Sequence, residues 1–92
     1  MITEDKMPTG ELQYPCEFPI KVIGDNHEGY LAMVIAILQE HVPELNVDAV
    51  TSKPSSGGKY LSVSATFTVQ NRQQLDDLYR ALSSHPDVRW VL

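Results

Sequence analysis

The residues that could carry chemistry are few and scattered. Cys16 is the single cysteine, so it forms no internal disulfide and no two-thiolate metal site, which suits a reducing compartment. A nucleophilic thiol needs a base and an electropositive setting; here the neighbours are Pro15 and Glu17, and Cys16 reads as a structural thiol. His41 and Glu44 stand three apart, but Pro43 lies between them and ends any helix that would place both on one face. They read as surface groups rather than metal ligands. Asp76 and Asp77 are adjacent, which on a helix separates them by about 100°; near a helix start they favour the macrodipole rather than form an acid–base pair. The chain contains no G-x-S-x-G, P-loop, H-E-x-x-H or C-x-x-C motif. These residues predict no catalytic group, no metal and no cofactor, and point away from an enzyme.

The stretch best suited to binding is Lys53 to Lys59, K-P-S-S-G-G-K. Lys53, Ser55, Ser56, Gly57, Gly58 and Lys59 can offer cations, hydroxyls and backbone amides to an anion, as backbone nests do. The plainer alternative is a hairpin connection with solubilising lysines. No helix follows, so it is no P-loop.

This loop leads into the most regular strand of the chain. From Tyr60 to Val69, Leu61, Val63, Ala65, Phe67 and Val69 share one face, and Tyr60, Ser62, Ser64, Thr66 and Thr68 share the other. That alternation predicts a central strand with one covered face and one open, hydroxyl-rich face. Glu17 to Ile23 reads as the first strand, with Phe18, Ile20 and Val22 inward, Pro19, Lys21 and Ile23 outward, and Gly24 ending the run. Pro19, lacking an amide hydrogen, is expected where the ladder needs no donor.

Asp25-Asn26-His27-Glu28 resembles a capping box with Asp25 as the cap. Leu31, Val34, Ile35, Leu38 and Val42 then form an apolar stripe, with Ala32 and Ala36 small enough to let the helix approach a sheet, and Pro43 stops it. Val47 to Lys53 reads as a less regular strand. Asn71 and Gln74 repeat the cap pattern, Leu75, Leu78 and Leu82 stripe a second helix with Ala81 beside them, and Pro86 marks its end. Val88 to Leu92 is the last strand; Trp90 could lie on either face, and its neighbours Val88 and Leu92 favour the core. The order β-α-β-β-α-β predicts a ferredoxin-like α+β plait, a four-stranded antiparallel sheet with two helices on one face.

Composition sets the outer bounds. Ninety-two residues with 42% hydrophobic and 21% charged make one domain able to bury roughly two-thirds of its unfolded surface. The expected organisation is a polar N-terminal tail over residues 1–13 and one domain over 14–92. Net charge is −5, opposite to the basic field of a nucleic-acid binder. The longest apolar run, Leu31 to Leu38, falls far short of the ~20 residues of a membrane span. No charged-then-apolar leader opens the chain, and a cytoplasmic location is the expectation.

The K-P-S-S-x-G-x-Y-x-S-V-S stretch, Phe18-Pro19-Ile20-Lys21-Val22-Ile23-Gly24 and the terminal V-R-x-V-L resemble the YbeD-like family of small bacterial proteins. The similarity covers roughly Tyr14 to Leu92. It implies a plait similar to the small-molecule-binding regulatory domains of amino-acid enzymes, the ACT type. Asp25 to Ala32 is in turn similar to the ACT loop, with Glu28 in place of the usual proline. The resemblance implies a regulatory or adaptor module with ligand contacts at Asp25, Asn26 and Gly29, where a helix N-terminus favours an anion, joined by the Lys53–Lys59 loop. The ligand would be a small anionic metabolite. The alternative it implies is a protein partner of an enzyme, in lipoate metabolism, with no ligand of its own. For that reading, or for a homodimer, the interaction surface is the open sheet face at Lys21, Ile23, Tyr60, Ser62, Ser64 and Thr66. RNA-binding plaits stack bases on sheet aromatics; the central strands here offer only Tyr60.

Overall fold

The computed structural model describes residues 13–92; all but the last residue of the expected tail lies outside the described residues. Strand β1 (Cys16–Asp25) is followed by helix α1 (Tyr30–His41), a short 3-10 turn (Val47–Ala49), β2 (Thr51–Pro54), β3 (Tyr60–Val69), α2 (Arg72–Ser83) and β4 (Val88–Val91). The four strands form one antiparallel sheet in the order β2-β3-β1-β4. The predicted plait is the observed fold.

Strands β1 and β3 pair over their whole lengths, from Cys16–Val69 to Asp25–Tyr60. Cross-strand partners share a face, so Ile20 and Val22 line up with Ala65 and Val63 beneath the helices, all buried. Lys21 and Ile23 line up with Ser64 and Ser62 on the other side. The core is completed by Val34, Leu38 and Val42 from the α1 side and by Leu75, Leu78 and Leu82 from α2. Pro19 sits where expected. Lys21 exchanges both backbone hydrogen bonds with Leu92 (3.1 and 2.8 Å), so odd-numbered residues of β1 point their amides toward β4, and Pro19 lies past the end of that ladder.

Two helix expectations are corrected. Asp25 does not cap α1: as the last residue of β1 it pairs with Tyr60, and strand alternation turns its side chain to the face opposite the helices. Glu28 makes no capping bond either. The N-cap is Gly29, at φ 95°, with no side-chain cap, a left-handed conformation that glycine adopts without penalty. The α1 stripe is also rotated by one residue, about 100°. Tyr30, Val34 and Leu38 face the core, Leu31 is 37% exposed, and Ala32 and Ala36 face outward. At the second helix Asn71 caps as expected, its Oδ1 accepting from the Gln74 amide at 2.9 Å. The predicted strand over Val47–Lys53 is corrected in its first half, which forms the 3-10 turn stabilised by Asn46 Oδ1 accepting from the Asp48 amide.

Gly24 explains the rotation of α1. It does not end β1 but lies within it, and a Cβ there would sit 2.2 Å from the Asp87 carbonyl and 2.5 Å from the Tyr30 ring. The missing side chain makes the slot that the fully buried Tyr30 fills. The Tyr30 hydroxyl finds no partner among the described residues, and burial, followed by the nearby Asp25 and Asp87 charges, pushes its pKa up to about 12. Gly24→Ala is expected to lower unfolding stability by about 2–3 kcal/mol through overpacking. Tyr30→Phe, which keeps the ring and removes the unpaired hydroxyl, should leave stability unchanged or raise it by about 1 kcal/mol. Urea denaturation of the two variants distinguishes them; a stable Gly24→Ala would refute the slot.

Candidate functional site

The two stretches singled out from sequence, the β1–α1 loop and the β2–β3 hairpin, meet in space. The Asn26 amide donates to the Lys59 carbonyl at 3.1 Å and its side-chain Nδ2 donates to the Gly58 carbonyl at 3.0 Å. The hairpin is shaped to receive it. Gly57 and Gly58 both have positive φ, the Ser55 and Gly58 amides are spent on the Tyr60 and Ser55 carbonyls, and Ser55 Oγ accepts from the Tyr60 amide at 3.0 Å. Those bonds engage the Ser55, Gly58 and Tyr60 amides inside the hairpin itself. Ser56 is exposed at its tip.

Asp25 is likewise engaged. Arg89 forks onto it, Nε to Oδ1 at 3.0 Å and Nη2 to Oδ2 at 3.3 Å, a bidentate geometry that sequence reasoning missed. The Asp25 carboxylate raises the Arg89 pKa further, through the hydrogen bond first and then through its charge. A β-bulge makes the pair possible. Ile23 pairs with Trp90 but Gly24 pairs with Val88, so Arg89 is an extra residue in β4. The same bulge corrects the placement of Trp90. Without it Val88, Trp90 and Leu92 would share a face; with it Val88 and Val91 pack on the core, while Trp90 (49% exposed) and Leu92 (65% exposed) stand on the open face. Trp90 meets Tyr60 edge to face, with centroids 5.4 Å apart, and Lys59 Nζ lies 5.4 Å from the Tyr60 centroid.

The open face carries Lys21, Ile23, Tyr60, Ser62, Ser64 and Thr66, with Thr51 and Lys53 added by β2 through their pairing with Ser64 and Ser62. Two depressions mark it. One, of about 240 Å³, is lined by Lys21, Ile23, Lys53, Pro54, Ser55, Tyr60 and Ser62. The other, of about 590 Å³, lies between Pro19, Lys21, Thr51, Ser64, Thr66 and Leu92. Gly29 and the α1 N-terminus line neither.

Away from this face, His27 bonds Asp87 Oδ2 through Nε2 at 2.9 Å and the Glu28 carbonyl through Nδ1 at 2.7 Å. Asp76 and Asp77 are held by Arg72 and Arg80 along α2. Among the described residues no group of three or more histidine, cysteine or acidic side chains is arranged to hold a metal ion, and no helix is long and apolar enough to cross a membrane.

Comparison with known proteins accounts for the whole described chain. The model of a protein family of unknown function, DUF493, matches residues 9–92. The chain belongs to the DUF493 family. A UPF0250 protein of Janthinobacterium sp. (strain Marseille) is 46% identical over 86 residues, covering 92% of this chain and 94% of that protein. A UPF0250 protein of Paraburkholderia phytofirmans is 39% identical over 80 residues, 87% and 90% of the two chains. Among solved structures, protein HP0495 from H. pylori superposes with a TM-score of 0.67 at 19% identity, over 100% of this chain and 94% of that one. The ACT domain of a GTP pyrophosphokinase from Chlorobium tepidum does so with a TM-score of 0.61 at 14% identity, over 85% and 96%. The YbeD-like resemblance and the ACT-like plait both stand.

The Glu28 carbonyl first, and then the hydrogen bond to Asp87, raises the His27 pKa above its ordinary 6.5. A raised folded-state pKa gives stability that is fully present below the unfolded value and is lost as pH rises through the folded one. The stabilising effect of His27 should therefore be complete below about pH 6.5 and fade above it. NMR titration of the His27 ring should place its midpoint above 6.5, and Asp87→Asn should lower that midpoint; an unmoved midpoint would show the ion pair to be absent in solution.

Proposed function

We propose that this chain is a non-catalytic regulatory or adaptor module that binds a small anionic metabolite at the sheet end of the β2–β3 hairpin. The observation that carries this reading is the 240 Å³ depression, in which Lys21 and Lys53 flank Ile23 and Pro54 and the hydroxyls of Ser55, Tyr60 and Ser62. Two ammonium groups, with the Ser55 and Tyr60 hydroxyls beside them, suit a carboxylate or a similar anion, while Ser62 Oγ donates to the Lys53 carbonyl; the apolar residues suit a short hydrocarbon body. Neither lysine forms an ion pair with a described residue.

The ACT-like plait supports the regulatory part of the reading by analogy of fold. The ligand position differs from the one the ACT loop implied. Asp25 is held by Arg89 and Asn26 by the hairpin carbonyls, so in this reading the β1–α1 loop fixes the hairpin in place while the lysines make the contact.

Amide-resolved NMR titration with pooled amino acids, organic acids and lipoate precursors tests the reading. Shifts are expected to cluster at Lys21–Ile23 and Lys53–Ser62, and the Lys21→Ala/Lys53→Ala double variant should weaken any such ligand about tenfold or more. Silence across the pool, or binding indifferent to both lysines, would sink it.

A further inference from the structure

The charge distribution of the molecule is lopsided in a way that its net −5 conceals. Three of the described cations are neutralised: Arg72 by Asp76, Arg80 by Asp77 and Arg89 by Asp25. The others, Lys21, Lys53 and Lys59, form no ion pair with a described residue. The first two point from the open side of β1 and β2, and Lys59 leans over Tyr60. Among the described strand residues the acidic side chains of that face are Asp25, held by Arg89, and Glu17, four cross-strand pairs beyond Lys21. Screening confines charge effects to about 8–10 Å, so a ligand lying on this face meets the lysines rather than the acids of the helix layer.

Beside these lysines lies an apolar edge. The bulge at Arg89 turns Trp90 outward against Tyr60, and Leu92 stands opposite Lys21. Trp90, half exposed, and Leu92, exposed, stand on the same face of this edge, and tryptophan is among the side chains enriched at binding hot spots. The two depressions meet at Lys21, which extends the surface across all four strands.

We propose that the open sheet face docks an acidic, apolar-anchored segment of a partner protein, its carboxylates on Lys21 and Lys53 and its apolar side chain against Trp90 and Leu92. Strand spacing of ~4.8 Å and a rise of ~3.4 Å per residue place the Lys21 and Lys53 Cα atoms roughly 12 Å apart. An extended peptide matches that span with acidic residues about four positions apart.

Two other occupants fit less well. A second copy related by a two-fold axis through Lys21 would bring that lysine against its own like charge. Single-stranded nucleic acid needs a basic groove and free aromatic faces; the molecule is acidic overall, and Tyr60 and Trp90 pack against each other at 77°. The proposal stands apart from the metabolite reading, since it requires Trp90 and Leu92, which do not line the 240 Å³ depression.

The full chain carries its own reporter, because Trp90 is the single tryptophan. The probe is a synthetic tryptophan-free peptide of about ten residues, long enough to cross the face when extended, with glutamates interspersed among leucine and phenylalanine. Its lysine-for-glutamate counterpart and an oligodeoxythymidine of similar length serve as comparisons. The acidic peptide is expected to shift Trp90 emission saturably. The Lys21→Ala/Lys53→Ala variant should weaken it about tenfold, as should raising salt from about 50 to about 300 mM, in the same direction though to a smaller extent. Trp90→Ala, followed by amide NMR, should weaken the peptide about tenfold while leaving any small anion bound at Lys53 unaffected. No saturable response, or equal binding of the inverted peptide, overturns the proposal. Tighter binding of the oligonucleotide would overturn it in favour of nucleic acid, and a concentration-dependent burial of Trp90 without peptide, with dimer seen by sedimentation, in favour of a second copy.

Discussion

The β1–β3 ladder is the constraint on which the rest depends. Its ten cross-strand pairs run unbroken from Cys16–Val69 to Asp25–Tyr60, and because the side-chain period of a strand is two, its register assigns every residue of both strands to the helix side or the open side at once. A one-residue slip would expose Val22 and bury Lys21 if β1 moved, or expose Val63 and bury Ser64 if β3 did. The cost of burying an unpaired lysine and hydroxyls is what holds the register. The position of every group on the open face is therefore set by the same packing that makes the core.

Two local devices are built on that ladder. Gly24 leaves room for Tyr30 and so fixes the rotation of α1. The extra residue at Arg89 then breaks the period of β4, letting Val88 and Val91 both reach the core while Arg89 and Trp90 face outward. One inserted residue thus creates both the Arg89–Asp25 fork and the aromatic pair with Tyr60. The character of this face does not follow from the plait alone, since without the bulge Val88 and Trp90 would share a face and could not be divided between the core and the open side.

The reading of the protein as a binding module draws on chemistry that is available rather than on chemistry that is spent. Asp25 is held by Arg89, Asn26 ties the β1–α1 loop to the hairpin, and the Ser55, Gly58 and Tyr60 amides bond within the hairpin. The lysines that form no ion pair with a described residue collect on one side of the sheet, in an otherwise acidic molecule. That separation of structural polar groups from free ones gives the open face its character.

Much of this was legible in the chain itself. Alternation along Tyr60–Val69 and Glu17–Ile23, the leucine stripe of α2 and the Asn71 cap are local signals, carried by residues two to four positions apart, and they determined the element order, the sheet and its two unlike faces. Asp25 as a helix cap, Leu31 as a core residue and Trp90 as a buried one were equally reasonable on local grounds, and the structure overrules each. Their outcomes depend on partners far along the chain: Arg89 for Asp25, Gly24 with Asp87 for Tyr30, Ile23 and Tyr60 for Trp90. A bulge has no signature within β4 itself, because the break in period appears only when the strand is laid against β1. Periodicity decided what is inside and outside along each element, and tertiary pairing decided which of the outside groups remain free to bind.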